Sequence, residues 1–258
     1  MPDNPSVSII IAVWNQLAYT KLTIESILKN SSGVPFELIV VDNASRPDVK
    51  AYFDSLKGSR EIAYIRNERN EGPIKAVNQG IAAAKYKYIM VIHNDVIILE
   101  DGWLERIVSV MESDPKIGLA GLAGRKEIYK NGSVNEESLK HNLQNEDLNP
   151  PMEEDVSQVA VVDGLCFVMR PELIDKVKGL DESYGYMHCY DLDISMQSIA
   201  AGFKNVVVNI AAMHIGNGGM TRKLREYKAL VGDDYGLLKK NCGIFSRKWR
   251  GMLPLKVP

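Results

Sequence analysis

Three short polar segments close apolar runs and carry the residue types that chemistry needs. The run Tyr88-Ile-Met-Val-Ile ends abruptly in His93-Asn94-Asp95. Tyr190-Asp191-Leu192-Asp193 holds two carboxylates, and Met213-His214-Ile215-Gly216 puts a single His at the end of another β-rich stretch. A core strand has no need of an uncompensated carboxylate at its carboxyl end, and those ends are where open α/β sheets bind ligands. Asp95 at such a tip can hold a hard divalent cation against the phosphates of a nucleotide. Mg²⁺ prefers oxygen ligands, whereas His214 in the set points toward Mn²⁺. His93 can be read equally as a packing residue or as a ligand.

Asp191 and Asp193 open a helix, a place where the dipole favours carboxylates in any case. The functional alternative is a general base within hydrogen-bond reach of an acceptor hydroxyl. Its acidity is expected to be ordinary, near a pKa of about 4, with positioning supplying the catalytic advantage. Asp42-Asn43-Ala44-Ser45 reads either as a turn or as a site where Asp42 accepts hydrogen bonds from a base or ribose. Asn67, Asn70 and Gly72 lead into a helix whose N-terminus suits phosphate, and Lys75 adds charge there. No GxGxxG follows the first strand, which argues against a Rossmann dehydrogenase. The Arg222, Lys223, Arg225, Lys228 cluster is either a solvated helix face or a surface for phosphate or acidic lipid.

The elements that must hold these groups follow from the hydrophobic pattern. Strands are expected at Val7–Val13, 36–41, 62–65, Tyr88–Ile92, 159–169 (interrupted by Asp163-Gly164) and 206–210. Helices are expected at 17–28, 74–84, after a cap at Asp101, at 191–201 and, strongly basic, at 221–240. Residues 124–155 are polar, hold two adjacent prolines and lack periodicity, and so read as a long loop or flap. Near-continuous apolar strands alternating with helices predict an α/β chain on a mostly parallel sheet.

The 258 residues fit one large domain. A net charge of −2 leaves no broad footprint for nucleic acid. Cys166, Cys189 and Cys242 are far apart in sequence, without CxxC spacing, which suggests a reducing compartment rather than a disulfide framework, and Cys166 and Cys189 read as small buried hydrophobes. The first residues lack a signal-peptide pattern, and no apolar run reaches the roughly 20 residues that span a bilayer. The expectation is a cytoplasmic protein.

In order and spacing, these motifs resemble the family 2 inverting, nucleotide-sugar-dependent glycosyltransferases of GT-A fold. The resemblance covers roughly residues 5–220. It rests on Val7-Ser-Ile-Ile-Ile-Ala-Val-Trp-Asn15, Val40-Val-Asp-Asn-Ala-Ser45, Asn67-x-x-Asn70-x-Gly72 with Asn78-x-Gly80, His93-Asn94-Asp95, Asp163-Gly164, Gly179-Leu-Asp-Glu182, Tyr190-Asp191-Leu-Asp193 and His214.

The resemblance implies a single GT-A domain over 1–258. Within it, 5–100 would bind nucleotide, 101–220 would bind acceptor, and 221–258 would form a basic helical extension. It implies that Ala12, Val13 and Asn15 hold the base and ribose, with Asp42 on the ring and Asn67, Gly72, Lys75 and Asn94 completing the nucleotide site. Asp95 and His214 would ligate Mn²⁺ or Mg²⁺, Asp191 would be the base, and Asp163, Gly164 and Tyr190 would lie near sugar or acceptor. The implied donor is a nucleotide-diphospho-sugar, UDP-linked first, and the acceptor a glycan, polysaccharide or lipid-linked hydroxyl, reached in the cytoplasm or in peripheral contact with the inner face of a membrane. Two positions depart from the family pattern: His93 replaces the first acid of its DXD motif, and Tyr190 replaces the Glu beside the base. The competing readings are a nucleotidyltransferase that makes sugar nucleotides and a non-catalytic binding protein of the same fold.

Overall fold

A computed structural model of the chain describes residues 5–56, 58, 62–144, 150–215 and 220–258. Its first part alternates β1 (Val7–Val13), α1 (Leu17–Asn30), β2 (Phe36–Asp42), α2 (Pro47–Ser55), β3 (Ile62–Arg66), α3 (Pro73–Ala83) and β4 (Tyr88–Ile92). β1 is rich in β-branched residues and buried along nearly its whole length, as a parallel strand covered on both faces must be. It pairs in parallel with β2 on one side and β4 on the other, and β3 extends the sheet beyond β2. The carboxyl ends of these strands therefore share one rim, which gathers Ala12-Val13, Asp42 and His93-Asn94-Asp95. Gly80 sets how closely α3 lies on β1, because a Cβ there would come within 2.4 Å of Ile10 Cγ2.

The chain continues through β5 (Val96–Ile98), α4 (Trp103–Ser113), β6 (Ile117–Gly121), β7 (Ala123–Arg125), β8 (Glu127–Ile128), β9 (Leu139–His141), β10 (Val156–Val159), β11 (Val161–Val162) and β12 (Cys166–Met169). It ends with α5 (Pro171–Val177), α6 (Tyr190–Ala200), β13 (Lys204–Val208), β14 (Ala212–His214), α7 (Met220–Lys223), α8 (Arg225–Val231), α9 (Asp234–Lys248) and β15 (Leu255–Lys256). The main sheet has the order β10-β13-β6-β12-β4-β1-β2-β3. β12 runs antiparallel between β4 and β6, while β13 and β6 are parallel. One apolar layer packs Trp103, Leu104 and Ile24 on Ile9, Ile11 and Met90. The other packs Ile74, Val77 and Ile194 on Ile10, Ile39 and Val91.

Several sequence expectations are corrected. α2 and β6 were not expected. Pro47 is pre-set for a first helical position, but α2 buries only Val49 and Phe53, too few anchors for a periodic signal. Asp101 does not cap α4: the cap is Gly102 in a left-handed conformation, and Asp101 instead accepts the Ser32 hydroxyl at 3.4 Å. Residues 124–155 are not structureless, because β7 pairs with β9 and β11, and β8 pairs with the C-terminal β15. Residues 145–149 of that segment lie outside the described residues. The strand expected at 159–169 is split into β10, β11 and β12, and the basic helix expected at 221–240 is split into α7, α8 and α9.

Asp193 joins α6 to the C-terminal helix. Its carboxylate is fully buried and accepts hydrogen bonds from Tyr184 Oη (2.9 Å), Trp249 Nε1 (2.7 Å), Gln197 Nε2 (2.7 Å) and Lys248 Nζ (2.9 Å). Lys248 keeps a second partner in Asp181, so removing Asp193 strands mainly the Tyr184 and Trp249 donors. Asp193→Ala is expected to cost about 3 kcal/mol of stability, the penalty for leaving such buried donors unpaired. Chemical denaturation measures it, and a loss below about 1 kcal/mol would show that this junction is not held through Asp193.

Candidate active site

β4 delivers His93-Asn94-Asp95 to the rim of the sheet, and a separate pairing brings the late His to meet it. β14 lies antiparallel on β5 with His214 opposite Val96, and Ile215 N donates to the Asp95 carbonyl at 2.9 Å. His214 Nε2 is then 3.3 Å from Asp95 Oδ1. His93 joins them, and one ligand atom from each of His93, Asp95 and His214 lies within 4.8 Å of the others, the one such group among the described residues. Burial would raise the Asp95 carboxyl, but above all the hydrogen bond from His214 holds it below the ordinary carboxylate range. Burial also lowers the His93 imidazole, which favours its neutral, ligating form. Two imidazoles and one carboxylate fit a divalent transition metal better than an all-oxygen cation such as Mg²⁺.

His93 was left open by the sequence reading. The usable signal was its place: His93 directly follows β4 and Asn94-Asp95 form the turn into β5, so a tight turn keeps His93 close to Asp95.

Tyr190 connects this group to the acids at the start of α6. Its hydroxyl shares a 3.0 Å hydrogen bond with His93 Nε2, the kind of outer partner that orients a ligating imidazole. The Tyr190 ring fits because residue 164 is Gly, where a Cβ would meet the hydroxyl at 2.5 Å. Gly164 N donates to Asp191 Oδ2 at 3.2 Å, and Leu192 N donates to Asp191 Oδ1 at 3.0 Å.

Asp163 and Asp191 have opposite electrostatic surroundings. Burial would raise Asp163, but Arg125, bonded to its Oδ2 at 2.9 Å, and the Leu165 amide at 3.1 Å hold it low. Burial pushes Asp191 up to about 6, with the Asp163 charge adding to it. The expectation of ordinary acidity for Asp191 is thereby overturned. Two neighbouring carboxylates pushed apart in acidity are the mark of a site in which one remains a fixed charge and the other can exchange a proton.

A cleft opens beside these groups, lined by Ala12, Val13, Trp14, Asn94, Asp95 and Tyr190, by Asn70 and Arg222 from the segments read as phosphate-binding alternatives, and by Tyr186, to which the sequence reading assigned no role. A family model described as "Glycosyl transferase family 2" matches residues 8–176 of the chain. The chain belongs to glycosyl transferase family 2. This family 2 chain has the GT-A fold: GalNAc-T7 with UDP, GalNAc and Mn²⁺ superposes with a TM-score of 0.65 at 16% identity, covering 91% of this chain and 49% of that one. A mannosyltransferase from Pyrobaculum calidifontis in complex with GDP-Man and Mn²⁺ gives a TM-score of 0.63 at 12% identity, covering 97% and 71%. Among curated relatives, the uncharacterized protein y4gI of Sinorhizobium fredii is 28% identical over 228 residues, 80% of this chain and 24% of its own length. The poly-beta-1,6-N-acetyl-D-glucosamine synthase of Staphylococcus aureus is 25% identical over 131 residues, 50% of this chain and 30% of its own length. The chain thus spans less than a third of these relatives.

The remaining candidate residues of the family 2 site are dispersed around the cleft. Asn15 and Gln16 both have left-handed backbones; Asn15 N donates to Ser45 Oγ at 2.8 Å, and its Oδ1 accepts from Arg46 N at 2.9 Å. That places Asn15 in a neighbouring groove with Lys21 and Arg46. Asp42 is fully buried, and its carboxylate is taken up by the Ser45 amide, the Tyr64 hydroxyl and the Arg66 guanidinium. Asn67 Nδ2 donates to Asn43 Oδ1 (2.8 Å) and Gln79 Oε1 (2.9 Å), bracing the entry to α3. Gly72 caps α3 at φ 88°, and a Cβ there would crowd the Tyr186 ring at 3.1 Å. Lys75 lies exposed and 3.8 Å from Glu71, and does not line the cleft. Asn94 Nδ2 is bonded to Thr20 Oγ1 at 3.0 Å. The Gly-rich segment after His214 includes residues 216–219, which lie outside the described residues.

Proposed function

We propose that the chain transfers a sugar from a nucleotide-diphospho-sugar, a UDP-sugar first among candidates, to an acceptor hydroxyl with inversion at the anomeric carbon. The observation that carries this reading is the shared location of two different groups: a carboxylate raised to about 6 at Asp191 and a three-residue His/Asp cluster, linked through Tyr190. Inversion needs one base on the face opposite the leaving group. Asp191 Oδ would accept the acceptor's proton, and the acceptor oxygen would form the new bond as the nucleoside diphosphate departs. Its raised pKa brings it near working pH, where a base is both ionised and effective. Arg125 keeps Asp163 anionic beside it, which maintains the field that strengthens Asp191 as a base.

His93, Asp95 and His214 would hold Mn²⁺ or Mg²⁺, the nitrogen-rich set favouring Mn²⁺. A bound divalent cation supplies positive charge that offsets the charge developing on the leaving diphosphate. Ala12, Val13 and Asn94 would contact the nucleotide in the cleft, and Asp163, Gly164 and Tyr190 would border the sugar and acceptor. A glycan or polysaccharide acceptor is in keeping with the poly-beta-1,6-N-acetyl-D-glucosamine synthase among the relatives.

The test is a panel of UDP-, dTDP- and GDP-sugars with Mn²⁺, followed by mass analysis of the released nucleotide and of the glycosylated acceptor. Transfer from at least one donor, stopped by EDTA, is the expected result. Binding of donor without any turnover across the panel would instead indicate a protein that keeps the fold as a binding module.

A further inference from the structure

Cys189 and Cys242 are 53 residues apart in sequence, yet their Sγ atoms lie 3.7 Å from each other. Neither thiol is a simple core filler. Cys189 leads into α6 with a left-handed backbone (φ 63°), directly after His188, which is also left-handed (φ 73°). Consecutive non-glycine residues in this region persist only where their surroundings hold them. Here α9 does the holding. Asn241, the neighbour of Cys242, donates from Nδ2 to the carbonyls of Tyr184 (2.7 Å) and Met187 (2.5 Å). Asp234 at the start of α9 is bonded to His188 Nε2 at 2.8 Å. Asp191 follows two residues after Cys189, so the position of its carboxylate is set by this turn.

We propose that Cys189 and Cys242 form a redox pair whose reversible disulfide fastens α9 to the turn that positions Asp191 and lowers sugar transfer. The effect on transfer rests on the reading of Asp191 as the base; the disulfide itself does not. A disulfide needs its sulfurs about 2.0 Å apart, so they must approach by roughly 1.7 Å. Rotation of the two side chains together with a small displacement of α9 against the turn supplies that movement. Misplacing a catalytic group by about 1 Å can cost on the order of 100-fold in rate.

The chemistry is available to this pair and not to the third thiol. Cys242 is half-buried, and a hydrogen bond from Cys189 lowers its thiol to about 7, so thiolate is present at neutral pH. Cys166 is fully buried in β12, and burial pushes its thiol up. With a hydroperoxide as oxidant, the Cys242 thiolate attacks one peroxide oxygen and becomes a sulfenic acid, and the other oxygen leaves as hydroxide and takes up a proton. Cys189 then loses its proton and attacks the sulfenyl sulfur, and the departing hydroxide is protonated to water. Two thiols and one hydrogen peroxide give one disulfide and two waters. A thiol reductant reverses the change.

The experiment treats the reduced protein with hydrogen peroxide, maps its peptides without reduction and assays transfer before and after. The expected product is lighter by two hydrogens, yields a peptide joining Cys189 to Cys242 and leaves Cys166 open to alkylation. Transfer should fall by about tenfold or more and return with dithiothreitol. Cys242→Ser should transfer normally when reduced and ignore peroxide. Absence of the joined peptide, two oxygens added irreversibly at Cys242, an unchanged rate in the oxidised protein, or equal peroxide sensitivity in Cys242→Ser would each overturn the proposal. If the reduced protein transfers from no donor, the proposed function fails, while the joined peptide still decides whether the redox pair exists.

Discussion

Asp191→Asn is expected to lower turnover by about 10²–10⁴-fold, the span of a positioned general base, while donor affinity stays nearly unchanged. In free energy this is about 3–5 kcal/mol of transition-state stabilisation, at 1.36 kcal/mol per tenfold. The substitution keeps the side chain's shape between the Gly164 and Leu192 amides but removes the proton acceptor. Asn keeps one acceptor oxygen and so gives up one of these two amide hydrogen bonds, a loss offset by removal of a negative charge beside Asp163. The pH profile gives the same prediction a second readout. Asp191 is raised to about 6, so the wild-type rate should fall as pH drops through that value and the carboxylate takes a proton. The residual rate of Asp191→Asn should lack this limb. Retention of the donor's anomeric configuration, or a loss of donor binding in proportion to the loss of rate, would remove Asp191 from the role of base.

Asp95→Ala is expected to abolish Mn²⁺-dependent nucleotide binding and, with it, transfer. Loss of an outer partner around a metal already costs about 10–100-fold in affinity, and loss of a ligating carboxylate should exceed that. Asp95 is the only anionic member of the cluster, which makes it harder to replace than either imidazole. His214→Ala and His93→Ala should weaken Mn²⁺ less severely, and each should narrow the preference for Mn²⁺ over Mg²⁺ by removing a nitrogen donor. Calorimetric titration of Mn²⁺ reads these effects without any acceptor. Full transfer by Asp95→Ala in EDTA would exclude a metal held there.

Local pattern was enough to identify the central strands and most of what stands at their tips. β1, β2 and β4 are short apolar runs whose burial on both faces leaves a continuous hydrophobic signature, and the polar residues that break it mark the rim of the sheet. Asp95 and His214 stood out on that basis, as residue types that a core element does not need, whereas Asp191 stood out as a carboxylate at a helix start. Elements held by few anchors or by distant partners were not legible. α2 has two buried apolar residues, and β7 and β9 are three residues each, stabilised by pairing across gaps that no window of sequence spans.

Which groups act together was decided only in three dimensions. His214 reaches Asp95 because β14 pairs with β5, and hydrogen bonding between strands this far apart leaves no periodic trace in the chain. His93 changes from an ambiguous strand-end residue into a member of that group by the same pairing. The acidity of Asp191 depends on burial and on the charge of Asp163, neither of which is visible from its own neighbours in sequence, which suggested ordinary acidity. Asp193, alike in type and two residues away, is instead closed off by Tyr184, Lys248 and Trp249. Sequence specifies side-chain chemistry and local periodicity, but pKa values and ligand sets arise from through-space electrostatics and packing over a few ångströms. Those distances exist only after the sheet order and the docking of α9 have placed remote segments side by side.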